Sequence, residues 1–158
     1  MIFTGCLKTP FGYLKIEADE ESLLAVEIIE SAVSERNNDI TSEAKRQLKE
    51  YFAGRRRDFD LPLRYETTPF RRRIYDALRK VPYGSTVSYR DLTYMAGNRH
   101  GFQATGQAMH HNRLMIVVPC HRVINNDGSI GGYGSHIEVK KYLLRMEGGW
   151  KMDYNKQV

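Results

Sequence analysis

The sequence predicts an α/β fold: a small N-terminal antiparallel sheet with one helix, then a mainly helical, winged-helix-like C-terminal domain with a helix-turn-helix. Three observations carry this expectation. Apolar and polar residues alternate through the first thirty positions, as they do in half-buried strands. Later segments instead repeat apolar residues at helical spacing, each bracketed by start and stop signals. Two of these segments are short and separated by the tight turn Ala96-Gly97-Asn98. At 158 residues the chain suits one ordinary domain or two small ones sharing a core, and its 41% hydrophobic content is that of a soluble globular protein.

The turn signal Thr9-Pro10-Phe11-Gly12 precedes Tyr13, Leu14 and Ile16, and the acidic turn Asp19-Glu20-Glu21-Ser22 precedes the run Leu23 to Ile29. Together they read as an antiparallel meander. A helix is expected from Thr41, with Ala44, Leu48, Tyr51 and Phe52 on one face and Gly54 ending it in a left-handed cap. Leu61-Pro62-Leu63 breaks the pattern and places a boundary near Arg64. Residues 1–64 then form an N-terminal α/β domain, 65–150 a C-terminal domain and 151–158 a tail.

Thr68-Pro69 starts a helix with Phe70, Ile74, Leu78 and Val81 on one stripe, stopped at Pro82-Tyr83-Gly84. Ser88-Tyr89-Arg90-Asp91 is a capping-box pattern for a short helix closed by Gly97, and a second helix is expected from Gly101 to His111. In this helix-turn-helix the second helix carries Gln103, Ala104, Thr105, Gln107 and Ala108. Leu114-Met115-Ile116-Val117-Val118 reads as a short apolar strand delivering Pro119-Cys120-His121-Arg122 to the core. Asn126-Asp127-Gly128 is a turn and Gly131-Gly132-Tyr133-Gly134 a loop. The last helix is expected to open at Ser135 and to bury Val139, Tyr142, Leu143 and Met146.

The net charge of +5 fits attraction to polyanions, although a scatter of Lys and Arg over a solvated surface gives the same total. From Leu92 to Asn126 there is no Asp or Glu, while Arg99, Arg113, Arg122 and four of the five histidines fall inside. That stretch either faces a phosphate backbone or is simply buried. No signal peptide and no membrane span is legible, so a cytoplasmic protein without a membrane partner is expected.

Cys6 and Cys120 are expected to remain thiols, and two cysteines are too few for a cysteine-rich zinc site. A metal site on His110, His111 and His121 is open in principle but is not expected, because adjacent histidines on a helix point to different faces. Cys120 stands apart through its neighbours. Pro119 fixes the approach of the chain, the preceding apolar run holds the thiol in a low-dielectric pocket, and His121 offers a base. Desolvation raises a thiol pKa, so something must favour the thiolate; His121 with a carboxylate behind it can, across a water if adjacent side chains cannot meet.

Ile116-Val117-Val118-Pro119-Cys120-His121-Arg122-Val123-Ile124 resembles the active-site signature of the O6-alkylguanine-DNA alkyltransferases, or methylated-DNA–protein-cysteine methyltransferases. Gly131-Gly132-Tyr133-Gly134 and Leu143-Leu144-Arg145-Met146-Glu147-Gly148 follow in family order, and Thr68-Pro69-Phe70, Val81-Pro82-Tyr83-Gly84, Val87-Ser88-Tyr89 and Ala96-Gly97-Asn98 precede it. The match is strong from Pro69 to Gly148 and one of pattern only before that.

The resemblance implies that Cys120 accepts the alkyl group, His121 is its water-mediated base, Glu147 orients His121, and Asn112 holds the turn before the active site. It implies DNA contacts from Tyr89, Arg90, Asn98, Gln103, Ala104 and Asn126, with the base pocket lined by Tyr89, Met109, Val123, Tyr133, Gly134 and Ser135. The implied partner is alkylated double-stranded DNA, entered from the minor groove by a monomer with no cofactor, and the implied act is a single, irreversible transfer after base flipping. Small Ala104 and Ala108 suit a narrow groove. Gln103 is a departure, for most of the family carries there an arginine finger that fills the place of the flipped base. Arg113 and Met115 stand where relatives often have prolines, and a zinc site that some relatives carry is not reproduced.

Two readings compete with this one. A turnover hydrolase would use Cys120, His121 and Glu147 as nucleophile, base and orienter and would release product repeatedly. A non-catalytic module would only flag lesions or sense redox state; retention of Cys120 speaks against it.

Overall fold

In a computed structural model of the chain, which describes residues 1–133 and 136–149, the alternating N-terminal segment folds as the expected meander. Strands β1 (Phe3–Thr9), β2 (Gly12–Ala18) and β3 (Leu23–Ile29) pair antiparallel in that order. Their period of two sends Leu7, Leu14, Ile16, Leu23 and Val26 to one core. Helix α1 (Asp39–Phe52) adds Ala44, Leu48 and Tyr51 to the buried set.

Helix α1 begins two residues before the expected Thr41 because Thr41 is the third residue of a capping box, not the cap. Its N–H donates to Asn38 Oδ1 at 2.9 Å while its hydroxyl accepts from the Asn38 N–H at 3.0 Å. Gly54, at φ 74°, follows the helix in the left-handed conformation.

The chain divides into two compact units, Met1–Glu66 with Arg113–Val117, and Thr67–Asn112 with the chain from Val118 onward. The excursion at 113–117 corrects the expected strand. Leu114 makes one parallel bridge to Val26, and the Met115 N–H donates to the Val26 carbonyl at 3.1 Å. Ile116 then takes φ 72°, which no strand continues through and which a β-branched residue adopts only when its surroundings enforce it. Leu114, Ile116 and Val117 are buried within a turn.

The second unit is built from α2 (Pro69–Leu78), β4 (Val87–Ser88), α3 (Tyr89–Met95), α4 (Phe102–His110), β5 (Val123–Ile124) and α5 (Ile137–Glu147). Thr68 caps α2 by accepting the Arg71 N–H, and Ser88 caps α3 by accepting the Asp91 N–H at 3.0 Å. Val81 is buried as expected but lies beyond the end of α2. Gly97, at φ 82°, makes the turn between α3 and α4. The two helices are locked by a 2.6 Å hydrogen bond between the buried hydroxyls of Thr93 and Thr105. Tyr75 of α2 donates its hydroxyl proton to the Ala108 carbonyl at 2.7 Å and ties α4 down from the other side.

The face of α5 differs from the apolar stripe expected of it. Val139, Lys140, Leu143, Leu144 and Glu147 point inward, whereas Tyr142 is 38% exposed and Met146 only half-buried. The helix starts at Ile137 with His136 at its cap; Gly134, Ser135 and the tail lie outside the described residues. No helix among the described residues is long and apolar enough to cross a membrane.

Candidate active site

Cys120 opens a 3₁₀ turn, Cys120–Arg122, and is 6% exposed. Two hydrogen bonds to one carbonyl fix its backbone: the Cys120 N–H and the Asn112 Nδ2 both donate to the Val118 oxygen, at 2.8 and 2.9 Å. The Asn112 side chain also hydrogen-bonds the thiol. Sγ lies 3.7 Å from the Tyr133 hydroxyl. Burial pushes the thiol pKa up, while Asn112, Tyr133 and the positive charge of Lys140 pull the other way without cancelling it.

Lys140 is a fully buried lysine, and its ammonium donates to the carbonyls of Val123 at 2.6 Å and Gly132 at 3.1 Å. Burial lowers its pKa to about 8, against the opposing pull of the Cys120 thiolate. It therefore sits near its titration point beside a thiol that burial disfavours ionising.

Behind the cysteine, Glu147 holds two partners. His121 Nε2 lies 2.8 Å from Oε2, while Arg122 donates through Nε to Oε1 at 2.8 Å and through Nη2 to Oε2 at 3.1 Å. The third Arg122 bond goes to the Val81 carbonyl at 2.7 Å. Burial works against the Glu147 carboxylate, but the hydrogen bonds and charges of His121 and Arg122 prevail and bring its pKa to about 2. An ionised Glu147 can only accept, so Nε2 of His121 carries the proton and Nδ1 keeps its lone pair. Burial also holds the imidazole pKa below its ordinary value, against the pull of Glu147. Nδ1 has no hydrogen-bond partner among the described residues, leaving a bare base on the residue that follows Cys120.

Residues 2–65 match the family model described as 6-O-methylguanine DNA methyltransferase, ribonuclease-like domain, and residues 69–149 match its DNA binding domain. The methylated-DNA–protein-cysteine methyltransferase of Methanosarcina acetivorans is 36% identical, over 93% of this chain and 99% of its own. The constitutive enzyme of that name in Bacillus subtilis is 38% identical, over 89% and 92%. The crystal structure of Mycobacterium tuberculosis OGT in complex with DNA superposes with a TM-score of 0.81 at 35% identity, covering 90% of this chain and 91% of that one. The chain belongs to the 6-O-methylguanine DNA methyltransferase family.

Within this methyltransferase unit the structure brings Cys120, His121, Glu147, Asn112 and Tyr133 together, with Val123 buried in β5 and Met109 half-buried on α4. Tyr89 is the first residue of α3; burial raises its phenol pKa, and the nearby Cys120 thiolate adds to the rise. Arg90, Gln103, Ala104 and Asn126 are exposed, and Asn98 accepts the His100 N–H in the turn between α3 and α4.

Two expected phosphate ligands are engaged elsewhere. Arg122 is 5% exposed and bound to Glu147, and Arg113 pairs with Glu27 at 2.9 Å and Glu17 at 3.7 Å. Reading an acid-free stretch as a cationic face overlooked acids that are distant in sequence but close in space. Lys140 and the role of Arg122 were not anticipated. The available signal was a lysine directly after Val139 and three residues before Leu143, inside the apolar stripe of α5.

Proposed function

We propose that this chain repairs O6-alkylguanine in double-stranded DNA by moving the alkyl group onto Cys120 after the damaged nucleotide has turned out of the duplex. The thiol gives its proton to Nδ1 of His121, directly or across one water, and the imidazolium formed is held by Glu147. The Sγ electron pair forms the new S–C bond as the bond from carbon to O6 breaks. The electron pair of that bond stays on the base, which takes up from water the equivalent of the proton that the thiol gave to His121 and becomes guanine again, while the imidazolium returns its proton to water. Tyr89, whose raised pKa keeps its proton in place, is the hydrogen-bond donor to that base.

Lys140 places positive charge beside the developing thiolate and so opposes the desolvation that raises the thiol pKa. A thioether has no route back to a thiol in this array, so each molecule acts once. The partner is duplex DNA entered from the minor groove by a monomer, a reading supported by the small, exposed Ala104 and the open space beside Gly106 on α4. Cytoplasmic residence goes with this reading.

The observation that carries the proposal is the bare Nδ1 of His121, the residue after the buried Cys120, with its imidazole held through Nε2 by an ionised Glu147. Intact mass spectrometry after incubation with a duplex holding one O6-methylguanine tests it. A stoichiometric gain of one CH2 unit, mapped to the Cys120 peptide, is expected. Release of product in excess of protein would instead establish a turnover hydrolase.

A further inference from the structure

Among the described residues, the exposed large apolar side chains include a cluster at the mouth of the helix-turn-helix: Tyr94 and Met95 at 49% and Phe102 at 40%. Phe102 is the first residue of α4, directly before Gln103. Its ring meets Tyr94 edge-on, with centroids 5.9 Å apart and an interplanar angle of 76°. Neither ring is part of the core. A helical side chain leans toward the N-terminus, so the Phe102 ring projects off the start of α4, where no side chain caps the first turn. Arg99, three residues before it in the chain, and Arg90 on α3 are exposed, as is Asp91. An exposed aromatic pair on the helix-turn-helix of a chain with a net charge of +5 suits a surface that is stacked and negatively charged, which a DNA duplex is and a protein groove seldom is.

We propose that Phe102 is a stacking wedge that enters the base stack as the damaged nucleotide leaves, with Tyr94 as its brace. This rests on the base-flipping reading above. Removing a nucleotide from a duplex leaves two base faces unstacked, and a flat ring recovers that stacking whichever bases flank the gap. Gln103 beside it supplies the amide that hydrogen-bonds the orphaned base. Two adjacent side chains thus divide the work that most of the family gives to one arginine. Phe102 is a DNA-binding residue; it touches no part of the thiol array and acts before the chemistry.

The test compares single-turnover transfer from a duplex holding O6-methylguanine with transfer from the free alkylated base, for wild type, Phe102→Ala and Phe102→Trp. The duplex-to-free-base rate ratio should fall roughly ten-fold or more for Phe102→Ala, the scale of one lost base-on-aromatic stack. Phe102→Trp should keep the ratio. A fluorescent base analogue opposite the lesion should brighten on binding of wild type and Phe102→Trp and stay dim with Phe102→Ala.

An unchanged ratio for Phe102→Ala, or an equal fall on both substrates, overturns the proposal while leaving the alkyl-transfer reading intact. Concentration-dependent dimerisation lost in Phe102→Ala also overturns it, since the patch would then seat a second copy of the chain. Failure of wild type to alkylate Cys120 from either substrate overturns the functional reading and the wedge with it.

Discussion

Replacing Glu147 by glutamine should expose how far folding and chemistry share one side chain. The carboxylate is 6% exposed and accepts from His121 once and from Arg122 twice, and burial leaves no solvent to take its place. A neutral amide keeps the shape, accepts through one oxygen and turns an NH2 toward one of two donors. Arg122 then remains buried with its charge uncompensated, keeping the Val81 carbonyl and at most the one amide oxygen. Breaking a buried ion pair from one side costs about 3–5 kcal/mol. At ~4–8 °C per kcal/mol for a unit of this size, the lower figure predicts a fall in Tm of roughly 12–24 °C.

The chemical effect is separate. Without the anion, the imidazolium formed when Nδ1 takes the thiol proton is no longer stabilised, and the loss of a positioned acid-base partner is worth about 10²–10⁴ in rate. Single-turnover transfer measured well below the variant's own Tm, beside a thermal melt, reads the two effects independently. A variant that melts as wild type does and transfers at the wild-type rate would show that Glu147 neither balances Arg122 nor serves His121.

Cys120→Ser should abolish transfer while DNA affinity by gel shift stays near wild type, because a hydroxyl does not ionise where a thiol can and Arg90, Arg99 and α4 are untouched. Lys140→Met should raise the thiol pKa, read from the pH dependence of iodoacetamide labelling, and slow transfer with it; unchanged labelling would remove Lys140 from thiolate stabilisation. Transfer should decline as pH falls through the lowered pKa of His121, since a protonated Nδ1 accepts nothing; a rate that stays flat on acidification as far down as the protein remains folded would exclude His121 as base.

Stability should also decline on acidification. The Glu147 pKa is lowered in the fold from 4.5 to about 2, so its contribution is present above pH 4.5 and lost as pH falls toward 2. Part of that acid sensitivity should be missing from thermal melts of Glu147→Gln.

What could be read from the sequence follows from which forces are local. The meander and the caps at Thr68 and Ser88 depend on neighbours in the chain, and the structure has them where alternation and start signals put them. The true start of α1 was missed by two residues because Asn38 and Thr41 both cap well, and only the direction of their hydrogen bonds decides between them. The face of α5 was misjudged for a different reason. Apolar periodicity counts hydrophobicity, and this helix turns Lys140 and Glu147 inward while Tyr142 remains outside. A site that must bury charge breaks the pattern by which buried faces are recognised.

The same logic explains why the signature carries an arginine after the histidine. A carboxylate alone behind His121 would be a buried, unsolvated charge, and burial would raise its pKa until it took up a proton. A protonated Glu147 could donate to Nε2, which would move the imidazole proton to Nδ1 and leave no base facing the thiol. Arg122 prevents this by holding Glu147 ionised with two of its donors and anchoring itself on Val81 with a third. The cost falls on His121, because the nearby guanidinium also disfavours imidazolium and adds to burial in lowering its pKa. Neutral His121 is a weaker proton acceptor than an unopposed His-Glu pair would be, so thiolate formation needs help from other groups around the sulfur. Lys140, with its pKa brought down to about 8, and the Asn112 and Tyr133 hydrogen bonds provide it. Activation of Cys120 is therefore shared between a base that removes the proton and a buried cation that makes the anion tolerable.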